Sequence, residues 1–330
     1  MSMTRQRMPI LALAAGLTGL ALWSAAASAQ EAPGAWPSRN VTIVVGAGPG
    51  GTNDIVARLA AEKLSQRLNV QFIVRNMPGA GTSIATRHVA RAEPDGYTLL
   101  SNSASMTIAP LQFKLDYDTR DDLTPISQFV DAPFVIVAHS SLGVSTLAQY
   151  AAYARANPGK VNWGSLAGLQ DVGGRWLDRV LGIKTENVPY REPSQMYTHL
   201  YAGEHLQASM VQSIAMIQHI RSGALKPLAW TSRERNATLP DTPSMAELGH
   251  PEFQLSLWQG LFGPAKMNPA LAERISREVA AVATDPAVVE RMSGFGFTTI
   301  GSKPAEFATV VNQNLDNWKR LVTELGIKLE

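Results

Sequence analysis

Residues 41–101 alternate between apolar runs and amphipathic stretches, and that rhythm limits the fold more than any other feature of the chain. Val41–Val45 (VTIVV) is a continuous β-branched run, as expected of a strand buried on both faces. A Gly-rich turn follows at residues 46–51. Ile55, Val56, Leu59, Ala60, Leu64 and Leu68 then recur at helical spacing and give one buried face. Thr52 or Asn53 is the predicted N-cap, with Asp54 in the first turn. Val70–Val74 is the second predicted strand. The loop Pro78-Gly79-Ala80-Gly81-Thr82 opens a helix through about Ala92, and Pro94-Asp95-Gly96 turns into a strand over Tyr97–Ser101. A βαβαβ order predicts a parallel sheet with right-handed crossovers.

The rhythm continues downstream. Strands are predicted over Phe134–Ala138, Val161–Trp163, Leu206–Val211, Pro227–Thr231, Gln254–Phe262 and Phe297–Ile300. Helices are predicted over Leu147–Arg155, from the 164–168 loop to about Leu181, and over Pro193–Ala202 and Ile214–Ser222. Further helices are expected over Pro269–Ala283, Pro286–Met292 and Pro304–Leu325. The fold class is α/β, with two similar lobes, each a mainly parallel sheet flanked by helices. The chain beyond its leader is long enough for two separate cores.

That leader is residues 1–29. Arg5 and Arg7 precede an uncharged apolar run over residues 9–23, and Ala27-Ser28-Ala29 supplies the small-x-small pattern of a signal-peptidase site. Cleavage is expected after Ala29, which directs the mature chain to the periplasm by a Sec-type route. The run is shorter than the roughly 20 residues that span a bilayer. With no cysteine in the chain, the mature N-terminus cannot be lipidated, and disulfides, thiolate metal sites and a cysteine nucleophile are excluded. Losing Arg5 and Arg7 takes the 29 basic residues to 27, equal to the 27 acidic. A neutral exported chain carries no electrostatic footprint for nucleic acid or anionic membrane.

Gly46-Ala47-Gly48-Pro49-Gly50-Gly51 fits the G-x-G-x-x-G pattern between a strand and a helix. A dinucleotide is disfavoured there. Pro49 stiffens the loop, Asp54 puts a carboxylate where a pyrophosphate would sit, and Arg75-Asn76 stands where a ribose-binding acid is needed. No cofactor is expected. What survives is physical: glycines let a ligand approach the backbone, and the helix N-terminus offers unpaired N–H groups and a partial positive charge. That suits a carboxylate. Gly79, Ala80, Gly81 and Thr82 form a second such loop, and Ser101, Asn102 and Ser103 end the third strand. All three loops lie at the carboxyl ends of predicted parallel strands, where open α/β sheets bind ligands.

Catalytic patterns are weak. The six histidines show no metal-ligand spacing, and Gly164-Ser165-Leu166-Ala167-Gly168 is not a nucleophile elbow. Asp54 and Asp171 are candidates for a pair across a cleft, though a cap or structural hydrogen bond is the plainer role for each. Trp258 reads as core. The chain is expected to be a binding protein and not an enzyme, with an exported hydrolase or dehydrogenase as the alternative.

Several segments resemble one family. Trp36–Val45, Pro49–Arg58 (PGGTNDIVAR), Asn76–Gly81, Pro94–Leu100 and Ala156–Lys160 look like the substrate receptors of tripartite tricarboxylate transporters, also called Bug-type receptors. Val188-Pro189-Tyr190, Ser222–Lys226, Leu239–Pro243 and Trp258-Gln259-Gly260-Leu261 extend the resemblance along the chain. It implies a two-lobed periplasmic-binding-protein fold, type II-like, that closes on a small carboxylate as a monomer and presents it to membrane transporter subunits or to a sensor kinase. A receptor that only signals is the remaining alternative. Lobe 1 would be 36–132 plus 232–312, lobe 2 would be 133–231, and 313–330 would pack near the hinge. The resemblance places Gly48, Pro49, Gly50, Gly51, Thr52, Asn53, Asp54, Gly79–Thr82 and Ser101–Ser103 against the ligand, faced by Ser165, Asp171 and Tyr190. The chain departs from the family at Arg191-Glu192, where Lys-Gly is usual, and over residues 204–210.

Overall fold

A computed structural model describes residues 35–166, 168–190 and 192–326. The leader 1–29, Ala167 and Arg191 lie outside the described residues.

Two sheets organise the chain. The first contains β1 (Val41–Val45), β2 (Phe72–Asn76), β3 (Thr98–Ser103), β4 (Leu123–Asp131), β10 (Gln259–Pro264) and β11 (Thr298–Thr299), in the order β11-β4-β10-β3-β1-β2. The second contains β5 (Phe134–His139), β6 (Asn162–Leu166), β7 (Glu186–Tyr190), β8 (Ala208–Gln212) and β9 (Leu225–Trp230), in the order β7-β6-β8-β5-β9. Helices α1 (Thr52–Leu68), α2 (Ser83–Ala90), α3 (Ser105–Gln112), α8 (Pro269–Ala283) and α9 (Pro286–Gly294) go with the first sheet's part of the chain. Helices α4 (Leu147–Ala156), α5 (Leu169–Leu181), α6 (Pro193–Ala202) and α7 (Ser213–Arg221) go with the second, and α10 (Pro304–Leu325) ends the chain.

The sheets are mixed, which corrects the expectation of mainly parallel ones. β2-β1-β3 and β7-β6-β8 are parallel triads, but in the first sheet β10 runs antiparallel to both β3 and β4 and β11 antiparallel to β4, and in the second β5 runs antiparallel to β8 and β9. The reason is the crossing between sheets. β4 leaves the first sheet at Asp131 and the chain re-enters it beside that exit at Gln259, opposite Val130, so β10 runs back against both β4 and β3.

Three elements escaped the sequence pattern, each for a local reason. β4 carries Pro125 at a shift in its register with β10, which breaks the alternation a strand normally shows. β7 contains Pro189, tolerated because β7 is an edge strand. The short α3 holds Pro110 in its last turn. The predicted strand over Gln254–Phe262 begins only at Gln259. Before it, the chain makes single bonds to both sheets, Leu255 N–H to Thr231 O and Leu257 N–H to Ala132 O, each 2.9 Å.

The core follows this division. One cluster packs β1, β3 and β4 against α1, α8 and α9 through Ile43, Leu64, Leu99, Ile275 and Val279. Another packs β5, β6 and β8 against α4 and α5 through Phe134, Tyr150, Trp163, Trp176 and Leu177. Gly174, inside α5, lets the helix lie on Trp163: an added Cβ would collide with the indole nitrogen. Residues 232–256, expected with the first lobe, pack with the second sheet instead, because Met245, Phe253 and Leu255 are buried in that second cluster. The last helix joins both parts. Its Phe307 and Val311 lie among residues of β3 and β10, whereas Trp318 and Leu321 belong to the second-sheet cluster.

Candidate functional site

The strand registers place the functional edge. The end of β3 lies opposite the start of β10 (Ser103 with Gln259), and Gln259 lies opposite Val130, next to the point where β4 leaves the sheet. In the second sheet, the start of β5 lies opposite the end of β8 (Phe134 with Gln212), and β6 runs parallel to β8. The carboxyl ends of both parallel triads are therefore directed toward the connecting segments 131–133 and 255–258. Helices α1, α3, α5 and α7 all begin on these edges, so their N-termini point to the same region.

The first loop is locked by a buried acid. Asp54 is 2 % exposed, and its Oδ2 accepts from Gly50 N–H and Arg58 Nε, both at 2.9 Å. Its Oδ1 accepts from Asn76 Nδ2 at 2.8 Å, and the same amide donates to Ala47 O at 2.9 Å. Burial alone raises the Asp54 carboxyl, but bonds from Arg58, Gly50 and Asn76 and the charge of Arg58 more than offset it, holding the pKa at about 2. The expected cap is not used: Gly51 occupies the N-cap with an extended backbone and no side-chain bond. Gly51 N–H turns back to Gly48 O at 3.3 Å, and Pro49 and Gly50 are exposed at the tip. The N–H groups of Thr52, Asn53 and Asp54 have no acceptor among the described residues, leaving three donors at the start of a 17-residue helix.

The second loop is backbone-strained. Gly79, Ala80, Gly81 and Thr82 have φ of 131°, 45°, 59° and 75° in succession. Left-handed backbone costs about 1–2 kcal/mol at a non-glycine such as Ala80 or Thr82 and persists only where surroundings enforce it. Asn102, fully buried on β3, does so. Its Nδ2 donates to Thr82 Oγ1 and Thr86 Oγ1, both at 3.0 Å, and Thr86 Oγ1 donates to Thr82 O at 3.0 Å. Gly46 completes the junction, since a Cβ there would stand 2.6 Å from Thr82 Cβ. Residues 79–82 and 101–103 are thus bonded to one another, and the first loop packs against them at Gly46. Ser101 and Ser103 are buried on β3, and Asn102 Oδ1 accepts Ser103 N–H at 2.9 Å.

The second-lobe residues sit differently from the simplest expectation. Ser165 is inside β6 and not in a loop, fully buried, with its hydroxyl donated to Asn187 Oδ1 at 2.8 Å. Asn187 Nδ2 donates in turn to Asp171 Oδ1 at 2.8 Å, which also accepts from Arg175 at 3.2 Å. Asp171 therefore orders its own lobe, as Asp54 orders the other. Tyr190 stands apart, its hydroxyl 2.7 Å from His199 Nδ1. What faces the region from this lobe is backbone: Gly168 (φ 83°) caps α5, and the N–H groups of Leu169, Gln170 and Asp171 have no acceptor among the described residues.

Sequence reasoning missed several contributors. Asn76 and Asn187 knit the loops; Asn76 ends β2, the position rule that found the glycines, whereas Asn187 lies near the start of β7, where that rule does not reach. Gln259 is 1 % exposed, and its Oε1, like Asn53 Oδ1, is buried without a hydrogen-bond partner. At the crossing, Asp131 is pushed above the usual carboxylate range by burial, partly offset by bonds from Ser256 and Gln128. Nothing in the local sequence marks it. Among the described residues no cluster of His, Asp or Glu is arranged to hold a metal, and no helix is long and apolar enough to cross a membrane.

Comparison with known proteins decides the family. Residues 56–327 match the tripartite tricarboxylate transporter family receptor. The chain belongs to that family. Protein BugT of Bordetella pertussis is 31% identical over 94% of this receptor and 97% of its own length. Among solved structures, R. palustris Rpa4515 with adipate is 26% identical with a TM-score of 0.70, covering 88% of this chain and 99% of its own. MatC from Rhodopseudomonas palustris with bound malate is also 26% identical, with a TM-score of 0.66 over 87% of this chain and 100% of its own. The receptor thus shares its α/β two-sheet architecture with solute-binding proteins, as the resemblance implied, and the family is one of receptors and not of enzymes.

Proposed function

We propose that the chain is a periplasmic receptor that captures a small carboxylate between its two sheets and delivers it to membrane transporter subunits. One observation carries the reading. Asp54, Asn76 and Asn102 spend their side chains locking the loops, while the N–H groups of Thr52, Asn53 and Asp54 are left free at the α1 N-terminus. That is the construction of an anion site made from backbone donors and a helix dipole. The free N–H groups at the start of α5 supply the opposing half. Relatives bound to adipate and malate support a carboxylate. The unpartnered oxygens of Asn53 and Gln259 would accept from a hydroxyl on such a ligand.

In this reading residues 1–29 are a signal peptide and the mature receptor is a monomer. Lobe 1 is 36–132 plus 257–312, lobe 2 is 133–256, and α10 spans the hinge. Closure about 131–133 and 255–258 excludes water and strengthens the N–H to carboxylate bonds.

A thermal-shift screen of the mature chain against malate, adipate, aromatic acids and amino acids tests it. A ligand at one hundred times its Kd stabilises by about 2.7 kcal/mol, or roughly 5 °C at this size. Gly51→Val should remove the shift. The Gly51 backbone (φ −69°) accepts a side chain, and its Cβ would press on Gly48 O at 3.3 Å, which a small shift of the exposed loop tip relieves, so the fold survives while a ligand's approach is blocked. No shift with any carboxylate, together with turnover of an ester or hydroxy acid, would overturn the receptor reading.

A further inference from the structure

The outer face of the second loop is covered by two apolar side chains that serve no core. Phe113, at the C-cap of α3, is 39 % exposed, and Ile84, in the first turn of α2, is 38 % exposed. Neither belongs to a core cluster among the described residues. Each stands on a glycine of the loop. A Cβ on Gly81 would lie 2.6 Å from Phe113 Cε2, and one on Gly79 would lie 2.6 Å from Ile84 Cδ1. Ala80, between the two glycines, lines a recess of about 220 Å³ together with both side chains. The loop's supports are therefore divided. Asn102 holds Thr82, Ile84 backs Gly79, and the Phe113 ring backs Gly81. Ala80 has no polar side chain to be tied by, so its left-handed backbone (φ 45°) is enforced through the glycines on either side.

The ring is itself fixed by its helix. Phe113 N–H closes α3 on Ala109 O at 2.9 Å. Although α3 follows β3 of the first sheet, its Ile108 is buried in the second-sheet cluster, and Leu111 packs against the same cluster. Thr107 Oγ1 accepts Trp318 Nε1 at 3.0 Å, tying α3 to α10. One side of α3 is thus rooted among buried residues while its end presses on a loop of the first lobe. We infer that Phe113 is a positioning residue for ligand capture: through it, α3 sets the left-handed geometry of the Gly79–Gly81 segment. The inference rests on the proposed function, because it takes the 79–82 backbone as part of the ligand site. With the ring in place the loop is pre-set. Without it, a Gly-Ala-Gly segment must be ordered on binding, and that ordering costs affinity.

The test compares Phe113→Ala with Phe113→Leu, which keeps apolar bulk on Gly81. Backbone NMR of the ligand-free mature chain should show the Ala80 Cα and Cβ shifts of Phe113→Ala moving toward averaged values. Thr82 should keep its own shifts, since Asn102 still holds it, and Phe113→Leu should restore Ala80. Calorimetry with malate, adipate, benzoate and glutamate gives the second readout. For those that bind the wild type, affinity should fall about fivefold or more in Phe113→Ala and less than about twofold in Phe113→Leu. Urea midpoints of both variants should stay near the wild-type value, because the ring lies outside the core clusters. Three results each overturn the inference: Ala80 shifts unmoved in Phe113→Ala, Thr82 shifts moving as far as those of Ala80, or unchanged affinity. Failure of the proposed function would show separately, as a wild type that binds none of the four acids while the Ala80 shifts still respond to the loss of the ring.

Discussion

Replacing Asp54 by Asn tests whether the first loop is held by charge. The carboxyl is kept at about 2 in place of 3.8, so its ionised form is favoured by folding. A shift of that size corresponds to about 2 kcal/mol at neutral pH. Arg58 is 51% exposed, so its share is screened and the figure is an upper estimate for the charge alone. The Asn amide adds a cost, because one of its atoms is a donor facing donors from Gly50, Arg58 and Asn76. The sign is set by the direction of the shift. The contribution is fully present above about pH 4 and is lost as pH falls through about 2, where wild-type Asp54 is protonated as well. Urea denaturation of wild type and Asp54→Asn should show a gap of about 2 kcal/mol at pH 7 that narrows steadily between pH 4 and pH 2. A gap that stays constant across that range would mean the loop is held by shape and not by the carboxylate, and the reasoning would fail.

Further outcomes follow from close packing. Gly46→Ala should cost about 1–3 kcal/mol in the same denaturation assay, since the new Cβ meets Thr82 at 2.6 Å and its backbone Cα at 3.1 Å; a neutral effect would separate the first loop from the second. Trp318→Ala should cost about 3–5 kcal/mol through a lost buried indole and its bond to Thr107. If calorimetry then still shows one cooperative transition at unchanged temperature, α10 does not couple the two cores.

The legible parts of the fold are those written in consecutive residues. Proline at the first helical position pre-sets φ, so Pro193–Ala202, Pro269–Ala283 and Pro304–Leu325 are read with their observed bounds. The antiparallel halves of the sheets were hidden. Strand direction depends on which partner a strand meets, and β4 finds β10 more than a hundred residues away at a register broken by Pro125.

The site divides along the same line. Sequence alone determined that glycine-rich turns precede helices at strand ends, and therefore that backbone donors would be available at residues 48–54 and 79–82. Such donors arise from local geometry, so adjacent residues suffice to reveal them. Only the tertiary structure decided what the side chains do. Asp54 is met by Asn76, Thr82 by Asn102, Ser165 by Asn187 and Tyr190 by His199. Most of these partners come from neighbouring strands, and a buried polar group takes whichever partner the folded packing brings within 3 Å. The result is a division of labour that no single segment shows: side chains hold the loops, and the backbone N–H groups at the starts of α1 and α5 are left without acceptors among the described residues.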